Sequence, residues 1–364
     1  MRQIIFSFIN YRRYMTTFYI QTTAQWQTAI NDSTSGSPQY TTYALAANLV
    51  FNSSVSRIFK TATNGQSDPD YITLGPNQTF DGNGYTITIS GAGAVPANGL
   101  AGIFRGAGTN GNNVVVKRVK VVVTSAVSID NTNYGAIIFS NWSSPTEPQY
   151  ITIEDCILDL NCQWHTVLNP LITNYNSSYP SNFTVSNLYT IIQNMSSIPF
   201  TAQFSGIGPI LGSTINNYTF IGLGVSIPTP TFGIFYGENN AFEVSATNVY
   251  VAFPDLESEP INIFATQIGG VNNSVQQPFT LTNAYVVAGD YTEVAQFPLY
   301  IADIAVDPSP ITVTNYYSNG QGTLQATTDA FEFFRNSLNS PDFVNDPWTA
   351  SNAFIWQSPL PSFG

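Results

Sequence analysis

From Val114 onward, short runs of alternating apolar and polar residues return at intervals along the chain. Val114–Val121 (VVVKRVKV), Ile151–Leu158 (ITIEDCIL), Phe183–Thr190 (FTVSNLYT) and Ser213–Phe220 (STINNYTF) share one frame. It comes back as Phe242–Val251, with two extra residues, and as Phe279–Val286 and Ile311–Ser318. The starts lie 29 to 37 residues apart. First and third places are mostly apolar and the places between them mostly polar, which is the period of a half-buried strand. Each unit therefore predicts a short strand, a tight bend and a second short strand.

The bend has its own signature. The fifth place is Asn187, Asn217, Asn283 and Asn315, with Asn248 equivalent in the expanded unit. Asn tolerates the left-handed backbone that a one- or two-residue bend demands. Its amide can also bond to the same group one level above or below. These five residues are expected to form one structural ladder.

Upstream of most units lies a second short apolar element: Gly102–Phe104, Ala136–Phe139, Pro170–Ile172, Gly233–Phe235, Ile261–Phe264 and Pro298–Tyr300. From its last residue to the frame the distance varies from 7 to 15 residues. A fixed spine with a variable loop is the pattern of a solenoid. Stacked at ~4.8 Å, seven units span roughly 34 Å.

No crossover helix separates the strands, which disfavours doubly wound and TIM architectures. A Greek-key sandwich leaves a constant Asn register unexplained. The expected fold is all-β, a right-handed parallel β-helix with a short helical N-terminal cap and a C-terminal helix and loop cap, the hand following from the preference of parallel crossovers. Thr22–Ile30 fits the first cap: Trp26, Ala29 and Ile30 share a helical face behind Thr22 and Thr23. Thr328–Asn336 and the Pro-rich stretch from Pro341 to Gly364 fit the second. The expected divisions are a disordered leader over 1–14, a cap and first strands over 15–70, the β-helix over 71–327 and a capping segment over 328–364. Met1 and Met15 both stand as starts, and no conventional signal peptide is read in the apolar stretch from Met1 to Phe8, which Asn10, Arg12 and Arg13 interrupt.

The segment Ile72–Ile89, with Phe80-Asp-Gly-Asn-Gly84 between two alternating strands, resembles the opening coils of pectin-lyase-like right-handed β-helix proteins. Ala101–Phe104, the turn-rich stretch Gly106–Asn113 and Val114–Val121 are similar to one unit of the GLUG-type repeat of large surface β-helices. Phe343–Trp348, Phe354–Trp356 and Pro359–Pro361 resemble the Trp-containing tail that ends such arrays. The likeness runs from about Tyr71 to the C-terminus. In later units Pro170, Asn262 and Pro298 stand where Gly102 opens the upstream element. The resemblance implies a β-helix of the kind found in viral, phage and bacterial surface proteins, a scaffold that serves lyases, hydrolases and adhesins alike.

Composition narrows the chemistry. Of 364 residues 43% are hydrophobic, 14% aromatic and only 9% charged, so the surface is dressed in uncharged polar groups. The net charge of −12 argues against nucleic acid or an anionic membrane as partner. No apolar run reaches the ~18 residues of a membrane span. Nine of the ten basic residues lie at or before Lys120, and none occurs from Val121 to Phe334, where 16 carboxylates lie.

The resemblance supplies two enzymatic patterns to test. A pectate-lyase-like site needs carboxylates for Ca²⁺ and an Arg or Lys to remove a proton, and the central units have no base of that kind; Lys117, Arg118 and Lys120 read as a solvated strand edge. The Asn-Thr-Asp, Asp-Asp, Gly-His-Gly and Arg-Ile-Lys motifs of a polygalacturonase-like hydrolase do not occur, and His165 is the only histidine. Paired carboxylates alone can hydrolyse a glycosidic bond. Glu154 and Asp155 are adjacent at one bend, and Asp130, Asp159, Asp303 and Asp307 are the other candidates. Asp255, Glu257 and Glu259 offer oxygen ligands for Ca²⁺, although a polar loop explains them too. Cys156 and Cys162 read as reduced core thiols, and no cofactor is implied.

The expectation is a non-enzymatic structural β-helix, an outer component of a virion or particle, whose partners are copies of itself, other coat proteins or a host surface. The alternative is a tailspike-like protein that binds a polysaccharide or hydrolyses it with two carboxylates.

Overall fold

The computed structural model describes residues 16–35, 37–52, 72–90, 93–95, 103–106, 113–124, 127–129, 139–141, 149–161, 163–164, 172–174, 181–192, 213–222, 244–253, 279–288 and 311–318. One helix and twenty strands are present among them. In chain order the first elements are β1 (Thr17–Ile20), α1 (Thr23–Ser33), β2 (Thr42–Leu45), β3 (Leu49–Asn52), β4 (Ile72–Leu74), β5 (Thr79–Asp81), β6 (Thr86–Ser90) and β7 (Gly93–Val95). Then come β8 (Phe104–Gly106), β9 (Asn113–Lys117), β10 (Lys120–Val123), β11 (Val127–Ile129), β12 (Phe139–Asn141), β13 (Gln149–Leu160), β14 (Gln163–Trp164) and β15 (Ile172–Asn174). The last are β16 (Ser181–Ile192), β17 (Ser213–Gly222), β18 (Val244–Phe253), β19 (Phe279–Ala288) and β20 (Ile311–Ser318).

The fold is predominantly β, and its strands lie in one long parallel sheet with two shorter ones beside it. The long sheet runs β1-β2-β5-β9-β13-β16-β17-β18-β19-β20, and a second ladder, β3-β6-β10, joins it at β13. The shorter sheets run β4-β8-β12-β15 and β7-β11-β14. Both are again parallel. Strands adjacent in space are one full pass of chain apart, so each pass lays its strands on those of the pass before. The upstream apolar elements supply the second sheet: Ile72, Phe104, Phe139 and Ile172 are register partners in turn. The elements ending at Phe235, Phe264 and Tyr300 lie outside the described residues, as do Thr328–Asn336 and the closing segment.

Alternation sets which face is buried. In β13 Ile151 and Ile153 are fully buried, with Thr152 and Glu154 half-exposed between them; Phe183 and Val185 repeat the pattern in β16. Past the bend, Cys156, Leu158 and Leu160 are buried, beneath Leu188, Thr190 and Ile192. A one-residue slip between neighbouring passes would bring Ile151, Ile153, Phe183 and Val185 to the surface, whereas past the bend Ile157 and Tyr189 are buried as well. The frame expected from Phe242 begins, by register, at Val244, which pairs with Ser213.

Helix α1 closes the N-terminal end. Thr22 is its N-cap, and a reciprocal capping box joins the Thr22 side chain to the Gln25 backbone and the Gln25 side chain back to Thr22. Trp26, Ala29, Ile30 and Ser33 form its buried face. Trp26 meets the rings of Phe51, Phe80 and Phe104 at 5.3, 5.8 and 6.3 Å. These rings come from β3, β5 and β8, so one indole touches the long sheet and the β4-β8-β12-β15 sheet and fills the interior between them. Ser33 Oγ accepts the Thr73 N–H at 3.0 Å, and Asp32 accepts the Tyr43 hydroxyl at 2.8 Å, which pins the helix to β4 and β2. No helix among the described residues is long and apolar enough to cross a membrane.

Trp26→Ala removes the largest side chain of this plug. It is expected to cost about 3–5 kcal/mol, read as a lower denaturant midpoint in urea unfolding followed by far-UV circular dichroism.

Candidate functional site

Polar chemistry among the described residues concentrates at the bend of the long sheet. Asn83, Arg118, Asp155, Asn187, Asn217 and Asn248 all have left-handed backbones there, with φ between 51° and 58°. Left-handed non-glycine residues are uncommon, and one on each successive pass marks a conserved local geometry of the stack. The register that pairs Glu154 with Ser186 and Cys156 with Leu188 sets Asp155 against Asn187. Continued upward, the same register aligns Asn217, Asn248, Asn283 and Asn315.

Side chains connect this column. The Asn187 amide donates to Asp155, Asn217 donates to Asn187 and Asn248 donates to Asn217, each at 2.8 Å. Each of the three amides donates its N–H to the level below, and Asn187 and Asn217 also accept from the level above. Each such bond contributes about 1 kcal/mol net, and more where Asp155 provides a charged acceptor. The side chains of Asn283 and Asn315 lie outside the described set, and their backbones continue the column.

Below Asp155 the same corner is ionic. Arg118 donates through Nε to Asp81 Oδ1 at 3.0 Å, through Nη2 to Asp81 Oδ2, and through Nη2 to Asn83 at 3.3 Å. Lys117 lies 3.9 Å from the same carboxylate. The hydrogen bonds that Arg118 donates to Asp81, with the charges of Asp81, Asp155 and Glu154, raise the Arg118 pKa above its ordinary value, against the effect of burial. Asp81 also accepts the Asn83 N–H at 2.9 Å, holding the turn. Gly82 is required at this point: a Cβ would run into the Arg118 carbonyl oxygen and Val119 of the next pass. The Phe80–Gly84 motif is therefore a close-packed turn beneath a buried-edge ion pair.

The corner was only half legible. Arg118 and Asp155 occupy the fifth place of their frames, as the asparagines do of theirs, and that shared place was the available signal. Reading Lys117, Arg118 and Lys120 as a solvated strand edge is corrected: Arg118 is held by Asp81, and Lys120 is 9% exposed. Lys120 lies between Thr86 and Ile157, both buried, because the neighbouring passes cover it. Burial lowers its pKa, and the charge of Asp159 partly offsets that.

Of the remaining carboxylate candidates, Glu154 and Asp159 lie among the described residues. Glu154 sits half-buried on β13, between Lys117 and Ser186 in register, and Asp159 lies five residues on, between Val122 and Ile191. Asp130, Asp303, Asp307, Asp255, Glu257, Glu259, His165 and Cys162 lie outside the described residues. Cys156 is fully buried, and burial raises its thiol pKa, so it is a packed core group and a poor nucleophile. Among the described residues no three His, Cys, Asp or Glu side chains converge as a metal site. The corner thus holds its polar groups against one another. No family model matches the chain, and no curated protein or solved structure matches it.

Two measurements test this site. Asn217→Ala loses both ladder bonds and places alanine at φ 57°, for an expected cost of about 2–3 kcal/mol. Asn217→Gly loses the same bonds without the backbone strain and should cost roughly 1 kcal/mol less; equal losses in urea denaturation would show that φ carries no part of the effect. For Lys120, a folded-state pKa below the unfolded one means that the unfolded chain binds more protons between the two values, so stability rises with pH through that window, up to about 10.5. Lys120→Met is therefore expected to be more stable than the wild type at pH 7, with the difference narrowing as pH approaches 10.5.

Proposed function

We propose that the chain is a right-handed parallel β-helix of the pectin-lyase-like kind, built on GLUG-type repeats in its early coils, and that it serves as a non-enzymatic scaffold on the surface of a virion or similar particle. Parallel sheets in which successive passes lay their strands on those of the pass before support the solenoid reading, and the preference of parallel crossovers supports the right hand. The pectin-lyase-like and GLUG resemblances of Ile72–Ile89 and Ala101–Val121 support the family reading.

The observation that carries the scaffold reading is the Asp155–Asn187–Asn217–Asn248 ladder. A reactive corner would present its carboxylates and amides to a substrate. This one turns them along the stack axis, each satisfied by the next pass, so its polar groups stiffen the column. Arg118, held by Asp81 and raised in pKa, is equally unsuited to accept a proton. The low charge of the whole chain suits close lateral packing, because few charges need to be stripped of water when surfaces meet.

The test combines size measurement by light scattering with glycan-array binding on the purified protein. Assembly above the monomer mass without retention of any glycan is expected. A glycan that binds, and is cleaved in a manner abolished by Glu154→Gln or Asp159→Asn, would replace the scaffold with a carbohydrate-active protein.

A further inference from the structure

The outward positions of the long sheet form a lattice. Two places before the ladder bend's flanking residue, the register runs through Thr152, Thr184, Thr214, Ser245, Thr280 and Thr312 on β13 and β16 to β20. It continues downward through Val115 to Thr79, Thr42 and Thr17. Two residues along each strand, a second column runs from Glu154 through Ser186, Asn216, Thr247, Thr282 and Thr314. The residues between the two columns, such as Ile153, Val185, Ile215, Ala246 and Leu281, are buried, so on β13 and β16 to β19 the columns face outward. Thr184, Thr214 and Asn216 are exposed, and Thr152, Ser186, Ser245, Thr247, Thr280 and Thr282 are half-exposed, so the face is open.

Spacing follows from the strands: ~4.8 Å between passes and roughly 6.6 Å between the two columns. Over the ten strands from β1 to β20 the first column extends roughly 43 Å. From β16 to β20 neither column holds a charged residue, in a chain of net charge −12.

We infer that this hydroxyl-bearing face is the surface through which two copies of the chain pair, face to face. The inference rests on the scaffold reading and names the surface that such self-contact uses. Three observations select a second copy as the occupant. An acidic chain meets its own like only where its carboxylates are absent, and this face from β16 upward is free of them. A Thr or Ser hydroxyl both donates and accepts, so identical rows can satisfy each other across a twofold axis, as carboxylate or ammonium rows cannot. A second copy also repeats at the same strand spacing, so every row finds a row. A polysaccharide is less suited to the passes from β16 upward, since among the described residues the strongly exposed aromatics of this face lie below them: Tyr150 beside the columns on β13, and Tyr19 on β1 at the foot of the second column, which continues downward from Glu154 through Lys117, Asp81 and Ala44.

The experiment is sedimentation velocity on the full chain over a range of concentrations, beside the double variant Thr184→Glu with Thr247→Glu, which places carboxylates two passes apart on the face. The wild type is expected to associate reversibly. The double variant, shown folded by an unchanged circular dichroism spectrum, is expected to dissociate at a concentration roughly 100-fold higher or more. The matching variant Thr184→Lys with Thr247→Lys, mixed with the first, is expected to restore association. A folded Glu variant that associates as tightly as the wild type would overturn the face while leaving self-assembly in place. A wild type that stays monomeric at every concentration would overturn both the face and the self-contact behind it. Retention of a monomeric wild type on ice or on a crystalline polysaccharide would give the lattice a different occupant and overturn the pairing.

Discussion

A parallel stack of strands is only as well defined as its register, and here the register is held at the corner by left-handed residues whose side chains bond along the stack. Period-2 alternation makes a one-residue slip expensive, since it would turn Ile151, Ile153, Phe183 and Val185 outward together. Yet alternation alone permits a slip of two, which restores the faces. The corner removes that freedom: a slip of two would carry Asn187 past Asp155, break the 2.8 Å bond between them and bring a residue such as Tyr189 to the left-handed position. Backbone geometry and side-chain bonding thus specify the same alignment.

The corner changes its chemistry along the stack, and the change follows the shape of the bend. In the lower passes the connection between paired strands takes several residues, from Gly82 to Tyr85 and then Arg118 and Val119. A longer turn needs a longer reach, which Arg118 provides across to Asp81 and Asn83. From β13 to β18 one left-handed residue is the whole bend, and a short amide spans the separation between passes. Asp155 is the junction, with its charge toward Arg118 below and its oxygen toward Asn187 above.

Ends and faces complete the design. Trp26 packs against the rings of Phe51, Phe80 and Phe104 at the first passes, and the outward Thr rows leave the two columns from β16 upward without a charged residue. Among the described residues the bend's polar groups bond along the stack, from Asp155 to Asn248, and the Cys156 thiol is buried in its interior.

The sequence by itself determined the repeated strand-bend-strand units and their order, because alternation and a recurrent Asn are local signals that survive without knowledge of neighbours; the short strands β7, β11 and β14 carry no such repeat and emerged only as a stacked sheet. It also marked α1, whose capping residues and apolar stripe lie within eleven residues. It did not reveal that Arg118 and Asp155 belong to the Asn column, since an ion pair from Arg118 to Asp81 spans 37 residues and depends on which passes are stacked. For the same reason Lys120 read as exposed: its burial is imposed by β6 and β13, elements distant along the chain. The two hydroxyl columns, too, exist only after stacking, because scattered Thr residues become a surface when parallel pairing at fixed register sets them side by side.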